Sequence, residues 1–150
     1  MSISLEILPS ADRAISEQEI VQRLNEQFNE KFVFAKQING ATISIGDEVV
    51  CLMGTSTIEP SVFEHEVYID GVKGLDKIDS LRFLKNFKEM DHIYTLESKA
   101  PRHNLSLSVL LFYASMLAEF SDGLIILDQN LDNYEANTVY LFSEIVVSKR

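Results

Sequence analysis

Apolar and polar positions alternate at the start of the chain. Ile3, Leu5 and Ile7 are separated by Ser4 and Glu6, and Pro9-Ser10 then ends the pattern. Alternation with period two predicts a short strand with one buried face. Ser16-Glu17-Gln18-Glu19 follows as a capping box, in which the Ser16 hydroxyl and the Glu19 carboxylate would satisfy each other's free backbone N–H groups. Ile15 and Ile20 stand where a hydrophobic staple would set the entry angle. Ile20, Leu24 and Phe28, with Val21 beside them, recur at helical spacing and predict an amphipathic helix to about Asn29.

Lys31 to Ile38 is rich in aromatic and β-branched residues, and Asn39-Gly40 precedes Ala41-Thr42-Ile43-Ser44-Ile45. Asn-Gly at this point predicts a type I′ hairpin, because both residues accept positive φ. Gly46-Asp47 makes a second tight turn into Glu48 to Met53, giving a three-strand meander whose core face includes Ile43 and Ile45. Gly54 to Pro60 reads as a loop. Ser61 to Ile69 reads as a strand by its alternation, although Val62, Glu66 and Ile69 also suit a helix, and Asp70-Gly71 ends it. From Leu75 to Met90, Ile78, Leu81, Leu84 and Phe87 form a helical stripe with Phe83 adjacent. His92 to Leu96 resembles a short strand. A helix apolar around most of its circumference runs from Asn104 or Ser106 to Ser121 and stops at Asp122-Gly123. Leu124 to Leu127 is a buried strand. For Val139 to Val147 the β-branched residues favour strand, whereas Val139, Phe142 and Val146 favour helix.

These elements interleave without a βαβ rhythm, repeat or linker, so the expected class is α+β: one domain over 1–150, a twisted antiparallel sheet, with mixed pairing open, backed by the Leu105 to Ser121 helix. A chain of 150 residues can bury about 70% of its unfolded surface, enough for one core. The apolar run Leu105 to Ala118 is broken by Ser106, Ser108 and Ser115 and is shorter than the roughly 20 residues that cross a bilayer. It reads as a buried helix. The opening Met1 to Glu6 has no basic stretch leading into an apolar segment, so no secretory signal is expected. With a single cysteine, Cys51, the expected compartment is the cytoplasm.

Charge changes the picture more than composition does. Asp and Glu total 23 against 13 Lys and Arg, a net charge of −10. Such a surface repels nucleic acid and anionic membranes at long range and attracts basic proteins, although surplus acid also serves solubility alone.

Motifs for chemistry are sparse. His65, His92 and His103 lie in different elements and make no zinc spacing. In Glu64-His65-Glu66 a strand would turn both carboxylates away from the imidazole. Cys51 sits in Val49-Val50-Cys51-Leu52-Met53, where a thiol acts as a small core hydrophobe with a raised pKa. Gly54-Thr55-Ser56-Thr57 lacks the lysine and second glycine of a phosphate loop, and no Gly-x-Ser-x-Gly elbow occurs. Asp122, Asp128, Asp132 and Glu135 do not fit a calcium-binding loop. No catalytic, cofactor or metal residue is therefore assigned, and no metal or organic cofactor is expected. Glu59, Glu64, Glu66, Asp70, Asp128, Asp132 and Glu135 are instead expected to form an acidic protein-binding face, with Phe63, Tyr68 and Tyr134 as apolar anchors.

In size, acidity, lone cysteine and the run Ser106 to Asp128, a helix followed by Asp122-Gly123, an apolar strand and an aspartate, the chain resembles the small bacterial immunity proteins that neutralise toxins. That resemblance implies a non-catalytic binder of a basic, toxin-like partner in the cytoplasm, with a homodimer compatible, and it carries no functional residue across. Secretion chaperones are similar in size and charge, but here two further helices follow the meander. The competing class is a small-ligand protein or enzyme with an apolar pocket lined by residues such as Tyr68, His92, Tyr94 and Tyr113.

Overall fold

In a computed structural model, which describes residues 2–57, 72–90, 92–98, 104–131 and 133–149, the described residues form an antiparallel sheet of seven strands with three helices. The strands are β1 (Ile3–Leu8), β2 (Phe32–Gln37), β3 (Gly40–Ile45), β4 (Glu48–Thr57), β5 (His92–Ser98), β6 (Leu124–Leu127) and β7 (Val139–Tyr140). The helices are α1 (Glu17–Phe28), α2 (Ser80–Met90) and α3 (Ser106–Ser121). The sheet order is β2-β3-β4-β5-β1-β6-β7, which places the first strand between two strands from the second half of the chain.

Because side chains alternate across a strand, β1 feeds two separate cores. Ile3, Leu5 and Ile7 face α1 and α3 in the main core, together with Leu96, Ile125, Leu127, Leu24 and Leu110. Leu8 points the other way and joins Ile93, Leu124, Ile126 and Val139 beneath Phe83 and Phe87 of α2. The α+β single layer of sheet expected from the pattern is thus covered by helices on both faces.

α1 begins where the Ser16 Oγ accepts from the Glu19 backbone N–H at 3.1 Å. The Glu19 carboxylate, however, pairs with Arg23 at 2.8 Å. Asn29 ends the helix in the left-handed region at φ 53°. α3 buries most of its circumference, and its one charged residue, Glu119, meets Arg23 at 3.3 Å. No helix among the described residues is long and apolar enough to cross a membrane.

Several local expectations are corrected. The β2–β3 turn is Ile38-Asn39, since Gln37 already pairs with Gly40, and neither turn residue has positive φ, which removes the type I′ geometry. Gly40 is required for another reason: a Cβ there would lie 1.8 Å from the Met53 carbonyl oxygen. The Gly46-Asp47 turn is present, with Gly46 at φ 60°. β4 does not stop at Met53 but continues to Thr57, because β5 pairs with it as far as Thr57–His92. A bulge opposite Ile43 and Ser44 turns both Val50 and Cys51 inward. α2 starts only at Ser80, capped by the Asp79 carboxylate, which accepts from the Arg82 N–H at 3.2 Å, and a 3-10 turn at Leu75–Lys77 precedes it. Its buried face is Phe83 and Phe87, with Leu81 82% exposed. A three-residue step falls about 60° short of a full turn, so the expected stripe drifts around the helix while the four-residue pair stays inside. At the αL stop of α3 the residue is Asp122, φ 51°. Gly123 is needed because a Cβ would meet the Leu8 carbonyl oxygen at 2.7 Å. After β7 the chain makes a 3-10 turn at Phe142–Glu144 rather than a longer strand or helix. The strand expected at Ser61 to Ile69 lies outside the described residues.

Candidate functional site

Of the acidic face expected from sequence, Glu59, Phe63, Glu64, Glu66, Tyr68, Asp70 and Asp132 lie outside the described residues. Asp128, Tyr134 and Glu135 are placed. Asp128 is exposed just beyond β6, where its carboxylate accepts from the Ser4 hydroxyl and its N–H donates to the Ser4 carbonyl at 3.3 Å. Ser4 shares the outer face of β1 with half-buried Glu6, whose carboxyl pKa is raised, first by burial and then by the negative charge of Asp128. Glu97 pairs with Ser4 across the β1–β5 ladder. Glu6, Glu97 and Asp128 are therefore gathered on one patch by strand pairing. Glu6 and Glu97 were missed because nothing nearby in sequence links them; the polar side of the β1 alternation was the only signal.

Tyr134 and Glu135 belong to a braced loop. The Tyr134 hydroxyl accepts from the Val146 N–H at 3.0 Å, and its ring meets Tyr140 edge-on at 5.3 Å. The Glu135 N–H donates to the Tyr140 hydroxyl at 2.7 Å, while its exposed side chain faces solvent.

A second feature is a cavity of about 220 Å³ on the main-core side of the sheet, between α1, α3 and β2 to β5. Tyr94 of β5 and Tyr113 of α3 line it, with Phe34, Met53, Leu117 and Phe120 supplying apolar walls. Arg13, Glu17 and Lys36 also line it and are all exposed to solvent. The hydroxyl pKa of Tyr113 is raised by burial and then by Cys51 and Tyr94; that of Tyr94 is raised by burial and then by Asp12. Both phenols therefore stay protonated at neutral pH. Of the other residues expected around such a pocket, Tyr68 is outside the described residues. His92 does not line the cavity; its Nδ1 donates to the Met90 carbonyl at 2.7 Å and its ring stands edge-on to Tyr94 at 5.2 Å.

Cys51 is 1% exposed and burial pushes its thiol up to about 12, so no thiolate nucleophile forms there near neutral pH. Among the described residues no group of three or more His, Cys, Asp and Glu could hold a metal ion. Comparison with known protein families, with characterised proteins and with solved structures finds no significant match to the chain.

Proposed function

We propose that the protein is a non-catalytic binding module that captures a basic protein, in the manner of the immunity proteins that neutralise toxins. The observation that supports this reading best is the outer-face patch of Glu6, Glu97 and Asp128. A fold that holds Glu6 half-buried within the field of Asp128 accepts an electrostatic cost, and an arriving Lys or Arg would relieve it. The net charge of −10 extends the attraction over a longer range, where it acts on association rate and partner choice.

The test uses a basic protein that the chain captures in a pull-down. Glu6→Gln, Glu97→Gln and Asp128→Lys together should slow its capture about tenfold or more at low salt, with a far smaller effect at 0.5 M salt, where exposed charges are screened. The circular dichroism spectrum should be unchanged. An association rate indifferent to both the substitutions and the salt would end this reading.

The cavity favours a second reading, binding of a small molecule. Tyr94 and Tyr113, more than fifteen residues apart in the chain, line one space whose walls are mostly apolar, as small-molecule sites usually are.

A further inference from the structure

Four large apolar side chains that the fold leaves half-buried meet at the cavity. Phe34 of β2, Met53 of β4, Tyr94 of β5 and Phe120 of α3 each pack against the main core, and all four line this one space. Scattered singly over the surface they would be ordinary, but gathered in one hollow they make the apolar concavity that marks a small-molecule site. Ile15, Ile20 and Leu117, which are buried, add to the same apolar lining. The volume of about 220 Å³ exceeds the ~150 Å³ that accommodates benzene in an engineered protein cavity, so one ring with a short substituent is the right scale.

Charges of both signs stand at the cavity, so it has no single-sign field to hold an ion. Arg13 and Lys36 line it together with Glu17, and the Arg13 guanidinium is paired with Asp122 at 3.3 Å. Asp12 brings a further negative charge near enough to act on Tyr94. The three lining ions are all exposed, whereas the buried lining residues Ile15, Ile20, Tyr113 and Leu117 carry no charge at neutral pH. An ionised ligand would have to leave water for apolar walls with no counter-charge reserved for it, at a cost that exposed ions do not return. A neutral ligand meets no such penalty.

We infer that the cavity binds a neutral, predominantly apolar molecule of single-ring size, seated against Phe34, Met53, Tyr94 and Phe120. A flat ring suits these walls, because sulfur–ring and offset ring contacts add to the burial of apolar area. This rests on the small-molecule reading and names its ligand class.

Three probes that share one ring test the inference: benzyl alcohol, benzoate and benzylammonium, which are neutral, anionic and cationic at pH 7, each titrated into ¹⁵N-labelled protein. Benzyl alcohol should shift the amides of Ala14, Met53 and Leu117 and bind about tenfold or more tightly than either ion, the least that an unpartnered charge should cost. Phe34→Ala removes one apolar wall from an edge strand, and with the circular dichroism spectrum unchanged it should weaken benzyl alcohol about fivefold or more. Lys36→Gln and Glu17→Gln, both at exposed sites, should leave its affinity within about twofold. An ion that binds as tightly as benzyl alcohol would overturn the neutral assignment and leave the cavity a small-molecule site. Indifference of benzyl alcohol to Phe34→Ala would overturn the seat against the apolar walls. Failure of all three probes to shift these amides at about 10 mM, well above the dissociation constant that a good fragment of this size reaches, would overturn the small-molecule reading with it.

Discussion

Leu110→Ala measures whether α3 is the centre of the fold. Leu110 is 0% exposed and belongs to the main core, where the inner faces of β1, β5 and β6 meet α3. The substitution removes three carbons from this packing. At about 0.8 kcal/mol each, the loss of transfer free energy is about 2.4 kcal/mol. A residual void adds about 24 cal/mol per Å³ wherever the neighbours do not collapse, which brings the total to about 3–5 kcal/mol. Collapse is limited here because Leu110 belongs to one buried cluster with side chains of β1, β5, β6 and α1. With a urea slope near 2 kcal/mol/M, the unfolding midpoint should fall by about 1.5–2.5 M with the slope unchanged. Leu81→Ala is the internal control: at 82% exposure it should cost less than about 0.5 kcal/mol, although sequence pattern places it in the stripe of α2. A Leu110→Ala loss under about 0.5 kcal/mol, or a Leu81→Ala loss as large as that expected of Leu110→Ala, would refute this packing.

Glu6→Gln tests the acidic patch through pH. The raised carboxyl pKa means the folded protein holds the Glu6 proton more tightly than the unfolded chain, so the stability from this group is fully present below its ordinary 4.5 and is lost as pH rises through the folded value. Glu6→Gln should therefore raise the urea midpoint at pH 7, with the advantage vanishing as pH falls below about 4.5; a variant less stable at pH 7 would contradict the assignment. At the β3–β4 ladder, Gly40→Ala should cost about 1–3 kcal/mol or more, since its Cβ would lie 1.8 Å from the Met53 carbonyl oxygen. Gly54→Ala, whose nearest neighbour is 4.0 Å away, should move the midpoint little, and equal costs for the two would argue against the register.

The patterns that proved readable are those whose cause lies within a few residues. Ser16 caps its own helix, Ile20, Leu24 and Phe28 repeat at the period of that helix, and Gly46 supplies the positive φ of its own turn. α3 was legible because a segment so apolar on every side has to be enclosed, and the class followed from strands and helices that do not alternate regularly. The face of α2 was less legible, since Leu81, Leu84 and Phe87 look equivalent until a sheet is placed against one side. Tertiary structure alone decided what lay together across long separations. Inserting β1 between β5 and β6 brings Glu6 near Asp128 and Glu97, and pairing with β5 extends β4 to Thr57. Packing α1 and α3 on the same face brings Arg13 and Lys36 to the mouth of a cavity floored by Tyr94 and Tyr113. Such neighbours share no local periodicity, because hydrogen-bonded strand order and the burial of two helices on one sheet face are properties of the whole chain.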